Sequence, residues 1–248
     1  MERITQAIKH LIIINVILFL IAELGIIPNF LRIVALWYIE NPNFHWWQFV
    51  THMFMHGGIT HILFNMYALW AFGTPLEHIW GRNKFLFFYF SCGIGAALIH
   101  TGVNFYYINK GVQVLTENGI GADVIAKTLA EGKYQVVWKE MLTTTVLQDM
   151  MSSYMDPAVG ASGAIYGILV AFGMMFPETK LMLIFLPVPI KAKYFIPILV
   201  GIDLFSGVTG FSIFGGNIAH FAHVGGAIIG FIMMKYWQKN SFNDRRLN

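Results

Sequence analysis

The chain has 248 residues, of which 56% are hydrophobic and only 12% charged, and its formal net charge is +3. Soluble domains carry roughly 25% charged residues, so this composition excludes a disordered or nucleic-acid-binding protein, and a single cysteine excludes a disulfide-stapled one. A mean hydropathy of +0.60 points to a membrane protein. Six crossings at about 20 residues each need roughly 120 residues, which the chain can supply.

Stretches free of Asp, Glu, Lys and Arg run over 57–76, 85–109, 158–176 and 217–234; 11–27 is interrupted only by Glu23, and 194–209 only by Asp203. Six helices are predicted, at about 10–27, 58–78, 85–103, 160–176, 193–209 and 217–237. No small-x-small cleavage site follows the first, so it reads as a retained helix. Six spans place both termini on one side. That side collects eleven Lys and Arg, the other five, so both termini are predicted cytoplasmic. The second, fourth and sixth helices then run inward from the outer face. Between the first two, residues 28–57 hold Trp37, Tyr38, Phe44, Trp46 and Trp47, an aromatic set suited to the membrane interface. Residues 104–157 form the most polar segment and are expected to be an outer-side insertion, partly helical over 121–150. Cys92 lies in an apolar run and reads as a packed small hydrophobe.

Polar residues inside a span are functional candidates. The second helix carries His61 and Asn65, four apart and so on one face. The fourth opens with Gly160-Ala161-Ser162-Gly163. The sixth holds His220 and His223 near its start, with Asn217 as a candidate cap. All three sets fall in the first turns of helices running inward, so they share one depth. A hydroxyl needs a base to become a nucleophile, and histidine is the usual one. Ser162 supplies the first; His220 and His223 compete for the second role. Gly163 with Gly167, and Gly226 with Gly230, have the small-xxx-small spacing that lets membrane helices approach closely. Tyr166 stands one turn beyond Ser162, where it would pack against an imidazole. The Ser162 N–H, Asn65 and His61 are candidate donors to an oxyanion. His52 and His56 have the spacing of a zinc helix, but Met53 occupies the place of the required Glu, so no metal is expected. Asp203 reads as a helix-packing partner with no evident catalytic role.

These residues resemble the rhomboid family of intramembrane serine proteases. The resemblance runs from about Trp46 to Trp237. It rests on His56 with His61-Ile-Leu-Phe-Asn65, on Gly73-x-x-x-Glu77-x-x-x-Gly81, on Gly160-Ala-Ser162-Gly163 with Tyr166, and on Ala222-His223 followed by Gly226 and Gly230. One departure is Trp47-Gln48, where members often have Trp-Arg. The resemblance implies an all-α membrane protein, a single rhomboid-like domain over 1–248 with its core at 46–237 and the insertion at 104–157. It implies a six-helix bundle with a cavity open to the outer side and a Ser–His dyad without a third acid. Ser162 is then the nucleophile and His223 the base. His61 and Asn65 are oxyanion donors, Tyr166 orients the imidazole, and Glu77 ties the inner end of the second helix. Gly160 belongs with the helix-packing glycines. The implied substrates are single-pass transmembrane proteins cleaved near the outer face, with lipid as surroundings and no cofactor, metal or nucleic acid. A bacterial inner membrane is the expected location. Two other readings are a catalytically silent rhomboid-like protein that binds membrane helices, and a small-solute transporter, for which no inverted repeat is visible.

Overall fold

The structure is a computed structural model that describes residues 4–183, 186–211 and 219–244. Asn217, the predicted start of the last helix, and Arg3, Arg245 and Arg246, used for orientation, lie outside the described residues. The described chain is mostly helical. The helix α1 (Gln6–Glu23) buries Ile8, Leu11, Asn15 and Phe19 on one stripe and exposes Ile13, Ile17 and Leu20 on the other. A helix apolar on its outward face is unsuited to water. A short helix α2 (Phe30–Val34), then α3 (Gln48–Thr51) with a 3₁₀ turn at 52–54, lead to α4 (Ile59–Trp80). Gly81, at φ +76°, ends α4 and starts α5 (Arg82–Glu117). After α6 (Ala122–Ala130), α7 (Trp138–Met141) and α8 (Thr144–Met155) come α9 (Ser162–Met175), a hairpin of β1 (Lys180–Leu183) and β2 (Leu186–Lys191), α10 (Ala192–Thr209) and α11 (His220–Asp244). Among the described residues, α1, α5 and α10 are long and apolar enough to cross a membrane; α9 is a shorter apolar helix.

Three expectations need correction. The third helix does not end at 103 but continues to Glu117, 36 residues in all, about 54 Å at 1.5 Å per residue. Loss of charge-free sequence marks the end of apolar surroundings, not of helical backbone; the stop comes at Asn118-Gly119, where Gly119 takes φ +88°. The insertion therefore begins as a helical extension. The segment between the fourth and fifth predicted helices, read without strands, folds as an antiparallel hairpin with Lys180 opposite Lys191 and Leu181 opposite Ile190. Pro187 and Pro189 lie in β2, a two-stranded sheet where a missing donor is tolerated. The third correction concerns the start of the fourth helix, at Ser162 rather than Gly160, because Gly160 adopts φ +120°.

The core is centred on α9, which packs against α4, α5, α10 and α11. Gly163, Ala164, Ile165, Gly167, Ile168, Leu169, Ala171 and Phe172 are all buried, and a helix buried on nearly every side belongs at the middle of a bundle. Phe85, Phe88, Tyr89 and Cys92 of α5 close the same core.

A second, smaller core holds the insertion. Trp138, Met150 and Tyr154 pack with Ile108 and Leu115 of the extended α5 and with Tyr38 of the first loop. The two segments are tied by paired backbone bonds between Leu36 and Ala158, each 2.9 Å. The Asn41 amide donates to the Tyr154 carbonyl at 2.8 Å, and the Tyr154 hydroxyl to the Glu40 carbonyl at 3.0 Å. The first loop itself is organised by Gln48. Its fully buried side-chain amide donates to the carbonyls of Arg32, Ile33 and Asn43, while its oxygen accepts from the N–H groups of Trp37 and His45. The residue that departs from the Trp-Arg pattern thus supplies the loop's anchoring hydrogen bonds.

Candidate active site

Ser162 owes its position to the two residues before it. Gly160 donates its N–H to the His52 carbonyl at 2.9 Å in a left-handed conformation that disfavours any side chain. Ala161 then caps α9, and Ser162 is its first residue. Backbone N–H groups in a first helical turn have no partner within the helix and point outward with the positive end of the dipole.

His223 reaches Ser162 because α9 and α11 touch backbone to backbone. A Cβ on Gly226 would fall 1.8 Å from the Gly163 oxygen, and one on Gly230 would fall 2.7 Å from the Gly167 Cα. This approach leaves His223, one turn before Gly226, with its Nε2 2.8 Å from the Ser162 Oγ. The Tyr166 ring stacks on the imidazole, with centroids 4.3 Å apart and planes at 12°.

His61 lines the same space from α4. A Cβ on Gly160 would lie 2.8 Å from His61 Nε2 and 3.6 Å from Ser162 Oγ. The Gly57 N–H donates to His61 Nδ1 at 3.3 Å. A neutral imidazole with an accepting Nδ1 carries its proton on Nε2, so the N–H of His61 faces the side of Gly160 and Ser162. Asn65 is buried, and its amide donates to the His61 carbonyl at 2.9 Å; that bond uses one of its two N–H groups. The His56 and His61 rings meet edge to face, with centroids 5.0 Å apart and planes at 71°.

The residue that sequence reasoning missed is Asp203. It stands in α10, 2% exposed, behind the imidazole rather than merely between helices. Its Oδ1 lies 3.1 Å from His223 Nδ1 and 2.6 Å from His220 Nδ1, and its Oδ2 accepts from the Tyr166 hydroxyl. The expectation of a pair without a third acid is corrected here: a carboxylate does back the imidazole. The signal was present, since a carboxylate inside an otherwise uncharged span demands a partner, but sequence spacing did not say which one. The same contacts settle the place of His220, which faces Asp203 with its Nδ1.

Glu77 lies at the other end of α4. Its carboxylate accepts from the N–H groups of Ala7 and Ile8, at 2.9 and 3.1 Å, and from the Thr5 hydroxyl. It therefore caps the start of α1, where a negative charge suits the helix dipole. Among the described residues no group of three or more His, Cys, Asp or Glu converges as a metal set would.

Comparison with known proteins agrees with this architecture. The presenilin-associated rhomboid-like protein, mitochondrial, of Homo sapiens is 24% identical over 97% of this chain and 50% of its own length. Rhomboid protein 1, mitochondrial, of Saccharomyces cerevisiae is 25% identical over 75% of this chain and 40% of its own. The rhomboid protease GluP of Bacillus subtilis is 40% identical over a shorter stretch, 21% of this chain and 10% of its own. The chain spans about half or less of the length of these relatives. The family model described as Rhomboid domain matches residues 43–115 and 125–239. That match takes in α4, α9, α10 and most of α11, together with His56 just before α4, and so every side chain around Ser162 described above, and the chain belongs to the rhomboid family.

Proposed function

We propose that this chain is an intramembrane serine endopeptidase that cleaves single-pass transmembrane proteins near the outer face. The observation that carries the reading is the 2.8 Å approach of His223 Nε2 to Ser162 Oγ. Ser162 attacks the scissile carbonyl while His223 takes its proton; the imidazolium then returns that proton to the leaving amine. The N–H of Ser162 and the Nε2–H of His61 hold the oxyanion, with Asn65 alongside. Removing one such donor costs about 10²–10³ in kcat in a well-studied soluble protease. Water then resolves the acyl-enzyme, and the chemistry asks for no cofactor or metal.

In this reading α1, α4, α5, α9, α10 and α11 are the six spans of one domain, with both termini cytoplasmic. A substrate helix enters between α4 and α10. Both helices pack on α9, and both expose apolar side chains, Leu63 and Tyr67 on α4, Ile198 and Phe205 on α10. The substrate must unwind locally, because an intact helix keeps its carbonyls in its own hydrogen bonds. The matched relatives include mitochondrial proteins and a bacterial one, so the expected bacterial inner membrane gains no support from them, and the location proposed is a membrane. A silent, helix-binding role has no observation in its favour, since hydroxyl and imidazole are both kept and face each other.

The test is cleavage of a model transmembrane substrate in liposomes. Ser162→Ala and His223→Ala are each expected to abolish cleavage while the protein stays folded, and Ser162→Ala to lose labelling by a fluorophosphonate. Full cleavage by either variant refutes the assignment.

A further inference from the structure

Asp203 is a costly residue to place in a bundle core. Burying a carboxylate is unfavourable unless hydrogen bonds replace the lost water. Three groups do so here: Nδ1 of His220 at 2.6 Å, Nδ1 of His223 at 3.1 Å, and the Tyr166 hydroxyl. An ionised carboxylate only accepts, so all three neighbours present protons to it. Tyr166 also stacks on His223, so the carboxylate reaches that ring twice, once at its edge and once through the tyrosine lying on its face.

The consequence is chemical. An imidazole that donates its Nδ1–H to Asp203 in a hydrogen bond keeps its Nε2 lone pair for the Ser162 hydroxyl. The other tautomer would present an N–H to Ser162 and could not accept its proton. When the imidazolium forms, its new charge lies beside a carboxylate that needs no reorganisation to receive it.

We propose that Asp203 is a positioning residue that holds His223 in the Nδ1–H tautomer, with Nε2 aimed at Ser162, directly at the ring edge and through Tyr166 at the ring face. His220 shares the same oxygen and keeps the carboxylate in place from the preceding turn of α11. The proposal rests on the reading of Ser162 and His223 as nucleophile and base.

The experiment uses the full chain in liposomes with a model transmembrane substrate. Asp203→Asn is expected to lower kcat by between about 10²- and 10⁴-fold, the upper figure being the loss seen when the carboxylate of a soluble Ser-His-Asp protease is replaced. KM should stay within about twofold, as for an interaction made chiefly in the transition state, and fluorophosphonate labelling should slow in proportion to kcat. Asp203→Glu, which keeps the charge, should recover at least part of the loss. In histidine-labelled protein, proton NMR should show strongly deshielded ring protons for the two histidines on Asp203, and the one that disappears in His223→Ala while the other remains is the Nδ1 proton of His223. That signal should persist in Ser162→Ala and vanish in Asp203→Asn. A folded Asp203→Asn with unchanged kcat, or a native protein without the deshielded proton, overturns the proposal. If Asp203→Asn does not fold, the native spectrum and Asp203→Glu still decide it. Cleavage surviving in Ser162→Ala would instead overturn the protease reading itself.

Discussion

The Gly163 carbonyl oxygen lies 1.8 Å from where a Cβ on Gly226 would stand, so α9 and α11 meet with no side chain between them. The spacing between Ser162 and His223 is set by this backbone contact. Gly226→Ala must push the helices apart, because the clashing atom is backbone and cannot swing away. Overpacking costs about 1–3 kcal/mol where neighbours yield, and the upper end is expected here. The melting temperature should fall and fluorophosphonate labelling should be lost. Gly201→Ala in α10, where nothing lies within 4 Å, serves as the control and should gain about 0.5–1 kcal/mol.

His61 and Asn65 should differ in effect. His61 turns its N–H toward Ser162, whereas Asn65 spends one N–H on the His61 carbonyl. His61→Ala is expected to lower kcat by about 10²–10³, and Asn65→Ala by less. Steady-state kinetics on one substrate decides the order; equal or reversed losses would reject it.

Gln48 predicts a sign as well as a size. Gln48→Ala takes the side-chain partner from the Asn43 carbonyl and from the N–H groups of Trp37 and His45, while the Arg32 and Ile33 carbonyls keep the indole N–H groups of Trp37 and Trp47; the expected cost is about 2–4 kcal/mol. Gln48→Glu should be worse, although it is nearly isosteric, because a carboxylate would then face the carbonyls of Arg32, Ile33 and Asn43. Thermal unfolding in detergent, read for both variants, gives the ranking.

Glu77→Ala removes the three-fold cap on α1. The expected loss is about 1.5–3 kcal/mol, as for hydrogen bonds to a charged group. The amides of Ala7 and Ile8 should exchange faster with solvent, while kcat of the folded protein stays within about twofold, since Glu77 only holds a helix start. A large fall in kcat would show that the cap reaches the site.

At the hairpin, Lys191 and Lys193 hydrogen-bond the exposed Glu178 carboxylate at 2.7 and 2.6 Å. They hold its pKa down to about 2 from an ordinary 4.5. Because the folded value is the lower one, the contribution to stability is complete above pH 4.5, fades below it and is gone once pH passes 2. Melting temperatures of the native protein and Glu178→Gln should therefore differ above that window and converge within it. Salt should narrow the gap, since the pair is exposed.

Much of this site was legible from one sequence. Ser162, His61 and His223 could be placed at one depth because helical rise converts residue number into distance from the membrane surface. The paired glycines marked faces of close approach, and those faces do meet. The end of α5 at Glu117 lies beyond what the sequence marks, because charge-free length reports the surroundings of a helix, not its backbone. By sequence alone Asp203 reads as a packing residue, because depth says nothing about rotation: whether a carboxylate points at an imidazole, a neighbouring helix or lipid depends on how α10 turns against α11. Gln48 was legible only as a departure from a pattern, since its five partners come from separate turns of the first loop.

The order of residues was enough to point to a membrane-embedded helical chain with its polar side chains gathered near the starts of three helices, because hydropathy and periodicity are local properties. Which imidazole faces the hydroxyl, and that a carboxylate stands behind it, was decided by packing. Helices choose neighbours and rotations through the shapes of whole faces, and that choice is made only when glycine meets glycine across α9 and α11.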